Sequence, residues 1–458
     1  MRTKHSLAAW GEDLGFRKTE FNQFDQYSEE MRQYCINDVK VLERVYNQLL
    51  KEKESHGFDE ESVQLEHEVC SVISKQVSRG FRLDVEGCER LCGILSGRME
   101  EICERLQQSF QPIVHRRVSE KTGKQLKDSI EVFNPASRQQ ISKRLQGIGW
   151  KPKKYTEKGS VIVDESVLRE VNIPEAKLIC EYLLLQKRLS QVTSWIEAVS
   201  DKHRVHGKVI TNGAVTGRMT HHSPNLAQIP SVHAEYGSEC REQWVVDPGY
   251  KLVGIDASGL ELRMLAHYME DEEYTKEVVD GDIHTKNQLA AGLDTRAKAK
   301  TFIYAFLYGA GAKKIGSITG TNGTVIIDKF MKNVPALAKL KEKIAVNLRN
   351  KGSLPGLDGR RLFIRSEHAA LNTLLQGAGA VVMKKALVIL NKYIKLHELD
   401  AHFVANVHDE WQLEVKEEEA ELVGQLGVKA IVEAGKALRL NCPLDGEYKV
   451  GDNWKQTH

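Results

Sequence analysis

The eight cysteines, at positions 35, 70, 88, 92, 103, 180, 240 and 442, include no Cys-x-x-Cys pair and no Cys/His zinc spacing. A zinc ribbon and a dithiol redox motif are excluded on spacing, and free thiols suit a reducing cytoplasm better than a disulfide scaffold. Neither sign of charge is in excess: 65 Lys/Arg oppose 63 Asp/Glu for a net +2, so any polyanion partner must be met by local charge. No secretory leader is expected in the opening stretch, where Met1-Arg-Thr-Lys runs into HSLAAWGE, which is too short and too soon acidic. Long apolar runs are missing too. The most apolar stretch, 369–383, is interrupted by Asn372, Thr373 and Gln376 and is expected to be too short to span a membrane. There is no internal repeat or low-complexity tract. What remains is a cytoplasmic, soluble chain of 458 residues, long enough for two to four domains.

Charge and helix breakers are unevenly spread. Residues 1–60 hold 12 Asp/Glu against 9 Lys/Arg, and 28–50 sets Met31, Tyr34, Cys35, Asp38, Val39, Leu42 and Val45 at helical steps. Two further helical patterns fill 63–110, separated by GFRLD with Asp84 placed as an N-cap. Residues 115–158 carry 12 Lys/Arg against 4 Asp/Glu, and Gly123, Pro135, Gly147, Gly149 and Pro152 interrupt any long element. That excess is more than solubility requires and points to a phosphate-contacting surface. Helix returns over 176–199. Residues 205–230 are irregular and polar, with Arg218, His221, His222, Asn225 and Gln228 between breakers, the kind of long loop that is more often functional than structural.

The chemistry gathers in three places. In 251–270, Leu252, Val253 and Ile255 form a short buried-strand run that ends at Asp256; Gly259 breaks the pattern, and a helical one follows. A carboxylate at the end of a buried strand needs a partner, either a cation side chain or a metal. In 402–415, HFVANVHDEWQLEV reads as a hairpin with His408, Asp409 and Glu410 at its tip. Asp256 and Asp409 on one sheet edge would repel unless cations lay between them. Magnesium suits such a pair, since it takes one or two carboxylates plus substrate phosphates. Third, Arg296, Lys300, Tyr304 and Tyr308 recur every four residues and drift only about 40° per step around a helix. Two cations and two aromatics on one stripe match a phosphate tail and a flat base, or equally a solvated face whose aromatics belong to a core with Phe302, Ile303 and Phe306.

These segments resemble a known family. DASGLELRMLAH, RAKAKTFIYAFLYGAG and VHDE are similar, in order, to motifs A, B and C of the family A (DNA polymerase I-like) polymerases. TGRMTHHSPNLAQIP, GDIHTKNQ and LNTLLQGAGA resemble flanking elements of its bacteriophage branch, and the likeness covers nearly all of 60–458. The resemblance implies a mixed α/β right-hand fold, with a thumb at 61–200, a palm at 201–268 and 372–458, and fingers at 269–371. It implies a template-directed DNA polymerase that binds primer-template DNA and dNTPs. Asp256 and Asp409 would hold two Mg2+ ions, assisted by the Ala257 carbonyl and, secondarily, Glu410. Arg296, Lys300 and His284 would bind the triphosphate, and Lys300 would also serve the leaving group. Tyr304 would pack on the nucleotide, Tyr308 would hold the template, and Glu261 would exclude a ribose 2′-hydroxyl. Arg218 and Gln376 would reach the minor groove and His408 the primer end, while Asn225 and Gln228 would contact the primer-template.

The chain also departs from the family. Tyr34 and Asp38 resemble the third motif of a 3′→5′ exonuclease, but no Asp-x-Glu strand precedes them, so 1–60 is expected to be a small helical remnant without nuclease activity. A separate exonuclease polypeptide is one possible partner. Residues 111–134 are too short for the thioredoxin-binding segment of some phage relatives, so no thioredoxin is expected. The alternative of a single-subunit RNA polymerase is disfavoured by Glu261 and by Glu410, where those enzymes usually resemble His-Asp-Ser.

Overall fold

The structure, a computed structural model, describes residues 5–118 and 123–458. The chain forms two discontinuous units, one from residues up to Glu68 together with Met264–Lys384, the other from Val69–Arg263 and Lys385–His458.

In the first unit, helix α1 (Glu29–His56) starts where the Ser28 hydroxyl accepts from the Met31 N–H at 3.1 Å and stops at Gly57, φ +64°. It outruns the 28–50 pattern because nothing in KEKESH breaks a helix before that glycine. Val41 and Val45 are buried with Trp10, which lies on the short helix Leu7–Asp13. Cys35, Val39, Leu42, Tyr46 and Leu49, on another face, are exposed. Helix α2 (Arg296–Leu307) is capped by the Thr295 hydroxyl, and Phe302, Ile303 and Phe306 are buried as their spacing predicts. The rings of Phe302 and Phe306 meet Phe330 at 5.2 and 5.7 Å. Helix α3 (Ala370–Leu396), of which the residues up to Lys384 belong to this unit, corrects one expectation: with 27 residues it is long and apolar enough to cross a membrane. Its most apolar window is 83% buried inside the protein, so the run serves as a core helix.

In the second unit, Asp84 caps the helix Val85–Ser109 by accepting from Gly87 N–H at 2.9 Å, and that helix packs on Pro174–Glu197. The basic 115–158 stretch holds short elements between its glycines and prolines. It contributes most of an antiparallel hairpin, Ile113–Val118 with Gln125–Glu131, followed by the helix Arg138–Gly147; residues 119–122 lie outside the described residues. A four-stranded antiparallel sheet carries β1 (Tyr250–Ala257), β2 (Ala401–Val407), β3 (Glu410–Lys416) and β4 (Gly446–Gly451) in the order β2-β3-β1-β4. Leu252, Val253, Ile255, Trp411, Leu413 and Val415 are fully buried, worth about 1.5–3 kcal/mol for each aliphatic side chain. The helix Ala420–Ala437 lies on the Ile255 face, where Gly427 has no room for a Cβ against that isoleucine.

Candidate active site

Strand β1 delivers Asp256 at its end, and β3 begins with Glu410 directly opposite it. The Ala257 N–H donates to the Asp409 carbonyl at 3.1 Å, which pins the hairpin tip to β1. Exposed His408 makes the turn with φ +57°, in the left-handed region. On its other side β1 pairs with β4, which sets Glu447 opposite Asp256. Burial, reinforced by Asp409, Glu410, Glu447 and Glu261, pushes the Asp256 carboxyl up to about 8. Asp409 is pushed up to about 6 by burial and Glu261, against partial relief from Arg218. Arg218 itself is ion-paired with Glu261 at 3.4 Å, so two residues with separate expected roles form one unit. The donor chemistry suits magnesium: two buried carboxylates are raised by burial and by neighbouring acids, with only partial relief from Arg218. Among the described residues no three acidic, His or Cys groups close a full protein cage.

Glu410 is in a different situation. Its carboxylate accepts from Trp454 Nε1 and Gln412 Nε2, both at 2.6 Å, and lies 2.8 Å from His458 Nδ1. The Arg241 guanidinium stands 3.8 Å away and stacks over the Trp454 ring. Burial raises its pKa, but His458, Arg241 and Trp454 outweigh burial and hold the group below the ordinary carboxylate range. Both oxygens are engaged within the protein, which anchors the strand that follows Asp409.

The nucleotide-facing residues form a second constellation, in the first unit. Arg296 and Lys300 are exposed at the start of α2, Tyr304 is half-buried, and Tyr308 caps the helix with its N–H on the Tyr304 carbonyl at 2.9 Å. The His284 ring lies 6.2 Å from that of Tyr304. Burial, then the charges of Arg296 and Lys300, lower the His284 pKa and so favour the neutral imidazole, against a smaller opposing effect of Asp282. Asp282 organises the group: it accepts from the His284 and Thr285 N–H groups at 3.2 and 3.3 Å and pairs with Arg296 Nε at 2.8 Å. Gln376, half-buried on α3, belongs to the same unit.

The model of DNA polymerase family A matches residues 101–456. The chain belongs to DNA polymerase family A. It is 35% identical to the DNA-directed DNA polymerase of Enterobacteria phage T3 over 99% of this chain and 83% of the phage protein; the Escherichia phage T7 enzyme gives the same figures. DNA polymerase I of Pseudomonas aeruginosa is 27% identical over 98% of this chain and 50% of its own length. The fold is that of the POL domain of Pol1 from M. smegmatis, solved with DNA primer-template and dNTP (TM-score 0.86, 20% identity, 99% of this chain and 80% of that one). The activity of this polymerase is template-directed DNA synthesis.

Other expected site residues of the polymerase are more committed to structure. Asn225 Oδ1 accepts from the Ala227 N–H at 3.1 Å and so caps the turn Leu226–Gln228, while the Gln228 side chain is exposed. Three features escaped the sequence reading. Asp282 was legible in principle, as an acid placed to cap the helix that carries His284. Glu447 sits on a strand that shows no long apolar run. The Arg241–Trp454–His458 grip on Glu410 joins segments more than 200 residues apart and leaves no local signal.

Proposed function

We propose that Asp256 and Asp409, with the Ala257 carbonyl, hold the two magnesium ions of a nucleotidyl-transfer site in this polymerase. The palm would be 201–268 and 372–458, the fingers 269–371, the thumb 61–200, and 1–60 an exonuclease remnant. The observation that carries the reading is the pair of carboxylates pushed up to about 8 at Asp256, by burial and then Asp409, and to about 6 at Asp409, by burial and then Glu261. Bound there, the ions would make the primer 3′-hydroxyl a better nucleophile and neutralise charge on the α-phosphate and the departing pyrophosphate. Arg296 and Lys300 grip the triphosphate oxygens, and Lys300 can pass a proton to pyrophosphate. Neutral His284 supplies a hydrogen-bonding ring beside them rather than a third charge. Tyr304 packs on the incoming nucleotide, and Tyr308 holds the template base. Glu261, fixed by Arg218, crowds a ribose 2′-hydroxyl, which favours deoxynucleotides over the ribonucleotides of an RNA polymerase. Gln376 and Arg218 contact minor-groove acceptors present in every base pair, which checks geometry without reading sequence. His408, Asn225 and Gln228 lie along the primer-template. Glu410 positions Asp409 instead of joining the chemistry. Primer extension tests the assignment: Asp409→Ala is expected to lose activity by at least about 1000-fold with DNA binding retained, and wild-type rates in that variant would sink it.

A second reading concerns partners, and one observation favours it. The exposed stripe Cys35, Val39, Leu42, Tyr46 and Leu49 on α1 is a continuous apolar face at coiled-coil spacing, more than scattered surface residues explain. Next to it, Asp38 is already neutralised by Lys18 at 2.9 Å, and that lysine also sits over the Tyr34 ring. A lone, paired carboxylate cannot organise nuclease metals, so this chain has no 3′→5′ exonuclease of its own, and the stripe receives a separate polypeptide that completes the nuclease. The proposal assigns no role to thioredoxin, and the eight free thiols favour action in the host cytoplasm. The isolated chain should leave a mismatched 3′ end intact and gain digestion with that partner. Digestion by the chain alone, abolished by Asp38→Ala, would refute this.

A further inference from the structure

Between the fingers helices, Ser353–Pro355 pairs antiparallel with Arg361–Phe363, so that Leu362 faces Leu354. Both leucines are 2% exposed, which leaves Arg361 and Phe363 on the outer face, with Phe363 42% exposed. The alternation continues through half-buried Ile364 to exposed Arg365. Two exposed cations, Arg361 on the strand and Arg365 in the bend just past its end, therefore flank an aromatic ring.

The support beneath this edge is rigid. Arg360 forks onto Asp358 with Nε and Nη2 at 2.8 and 2.6 Å and reaches Glu66 with Nη1 at 2.7 Å. Lys384, 2% exposed, donates to both oxygens of the same Glu66 at 2.7 and 2.8 Å. The inner charges are thus paired with one another, and among the described residues no acidic side chain pairs with Arg361 or Arg365. Residues 339–365 contain 8 Lys/Arg and 2 Asp/Glu, so the outer edge sits in a positive field. It also continues toward the nucleotide-facing helix. Gly309, immediately after Tyr308, approaches the His368 backbone so closely that a Cβ there would stand 3.1 Å from its carbonyl oxygen.

We propose that Arg361, Phe363 and Arg365 form a platform for single-stranded DNA, which receives the unpaired template before it reaches Tyr308. The direction of the path rests on the assignment of Tyr308 to the template. An exposed aromatic between two unpaired guanidinium groups is the combination that binds single strands without sequence preference, because every base offers a π-face and every nucleotide a phosphate. A duplex hides its base faces and would leave Phe363 unused. A preformed, ion-paired support means that little ordering is required on binding. A merely solvated edge needs neither an aromatic at its centre nor the absence of acids around it.

The test uses the full chain on two primer-templates that differ only in template overhang, one nucleotide or twelve. The wild type is expected to bind the long overhang more tightly, and the triple variant R361A/F363A/R365A to lose about 10- to 100-fold on it alone. Extension across the one-nucleotide overhang should be unchanged, which shows that the variant folds and reacts. The slope of log K against log salt on the long overhang should become shallower by about 1.4, the share of two single-strand phosphates, and F363W alone should keep most of the affinity. Equal loss on both overhangs, or no loss on either, would overturn the proposal. Y308A checks the assignment it rests on: normal incorporation opposite a one-nucleotide overhang would remove the role of Tyr308, yet leave an overhang-dependent loss in the triple variant as evidence for the platform.

Discussion

Among single residues, Asp256 is the most consequential, because its environment is unfavourable until something cationic arrives. Its carboxyl titrates at about 8 in the metal-free fold, so at pH 7 it is mostly protonated, and ligation must expel the proton. Magnesium affinity is therefore expected to rise between pH 6 and 8, by up to about tenfold per unit. Calorimetry at pH 7 in buffers of different ionisation enthalpy should report proton release, and Asp256→Asn should report none. The sign for stability follows from the same shift. A carboxyl with a raised folded pKa binds more protons folded than unfolded, so the metal-free protein should lose stability as pH rises from the ordinary carboxylate value through about 8. Magnesium should restore it at the alkaline end. Uptake of magnesium without proton release at pH 7 would show that Asp256 is already charged and that the cation it needs lies elsewhere.

At the scale of elements, periodicity made the site legible wherever its residues share one strand or helix. The four-residue spacing of Arg296, Lys300, Tyr304 and Tyr308 fixed one face, and Phe302 lies fully buried on the opposite side of α2. Alternation in HFVANVHDEWQLEV fixed the hairpin and its acidic tip, which β2 and β3 reproduce. Where spacing misled, a physical reason is visible. The apolar run of α3 looked too short because Asn372, Thr373 and Gln376 interrupt it. A buried helix tolerates such groups once they are bonded, as Thr373 is to the Ala369 carbonyl at 2.8 Å. In the basic 115–158 stretch, the glycines and prolines that interrupt any long element fall at the ends of its hairpin strands and its helix. Cross-strand partners such as Glu447, and the grip of Trp454 and His458 on Glu410, depend on register and tertiary contact. No window of sequence contains either.

Taking the whole molecule, each unit is built from distant stretches of chain, and each is stitched internally by buried charge. In the first unit Glu66 meets Arg360 and Lys384, 294 and 318 residues away. In the second, Glu414 on β3 is fully buried and accepts from Arg204 at 2.8 Å, from Arg79 at 2.6 Å and from the Asp247 N–H at 2.9 Å. Such a cluster contributes little net stability over an apolar replacement, yet breaking it leaves charges stranded without water. Glu414→Gln is therefore expected to destabilise the second unit by about 3–5 kcal/mol, whereas R79M/R204M/E414L, which removes both guanidinium partners with the carboxylate, should recover most of that loss. Denaturant unfolding followed by the buried tryptophans Trp244 and Trp454 would measure both. Asp247 adds a pH signature. Burial alone would raise its pKa, but hydrogen bonds and charge from Arg204 and Arg82 lower it below the ordinary value. Its contribution is complete above the unfolded carboxylate pKa and disappears as pH falls through the depressed folded value. Asp247→Asn should accordingly lose less stability than wild type on acidification below pH 4. If Glu414→Gln unfolds at the wild-type denaturant concentration, the cluster does not hold the two stretches of the second unit together, and the apolar core alone does.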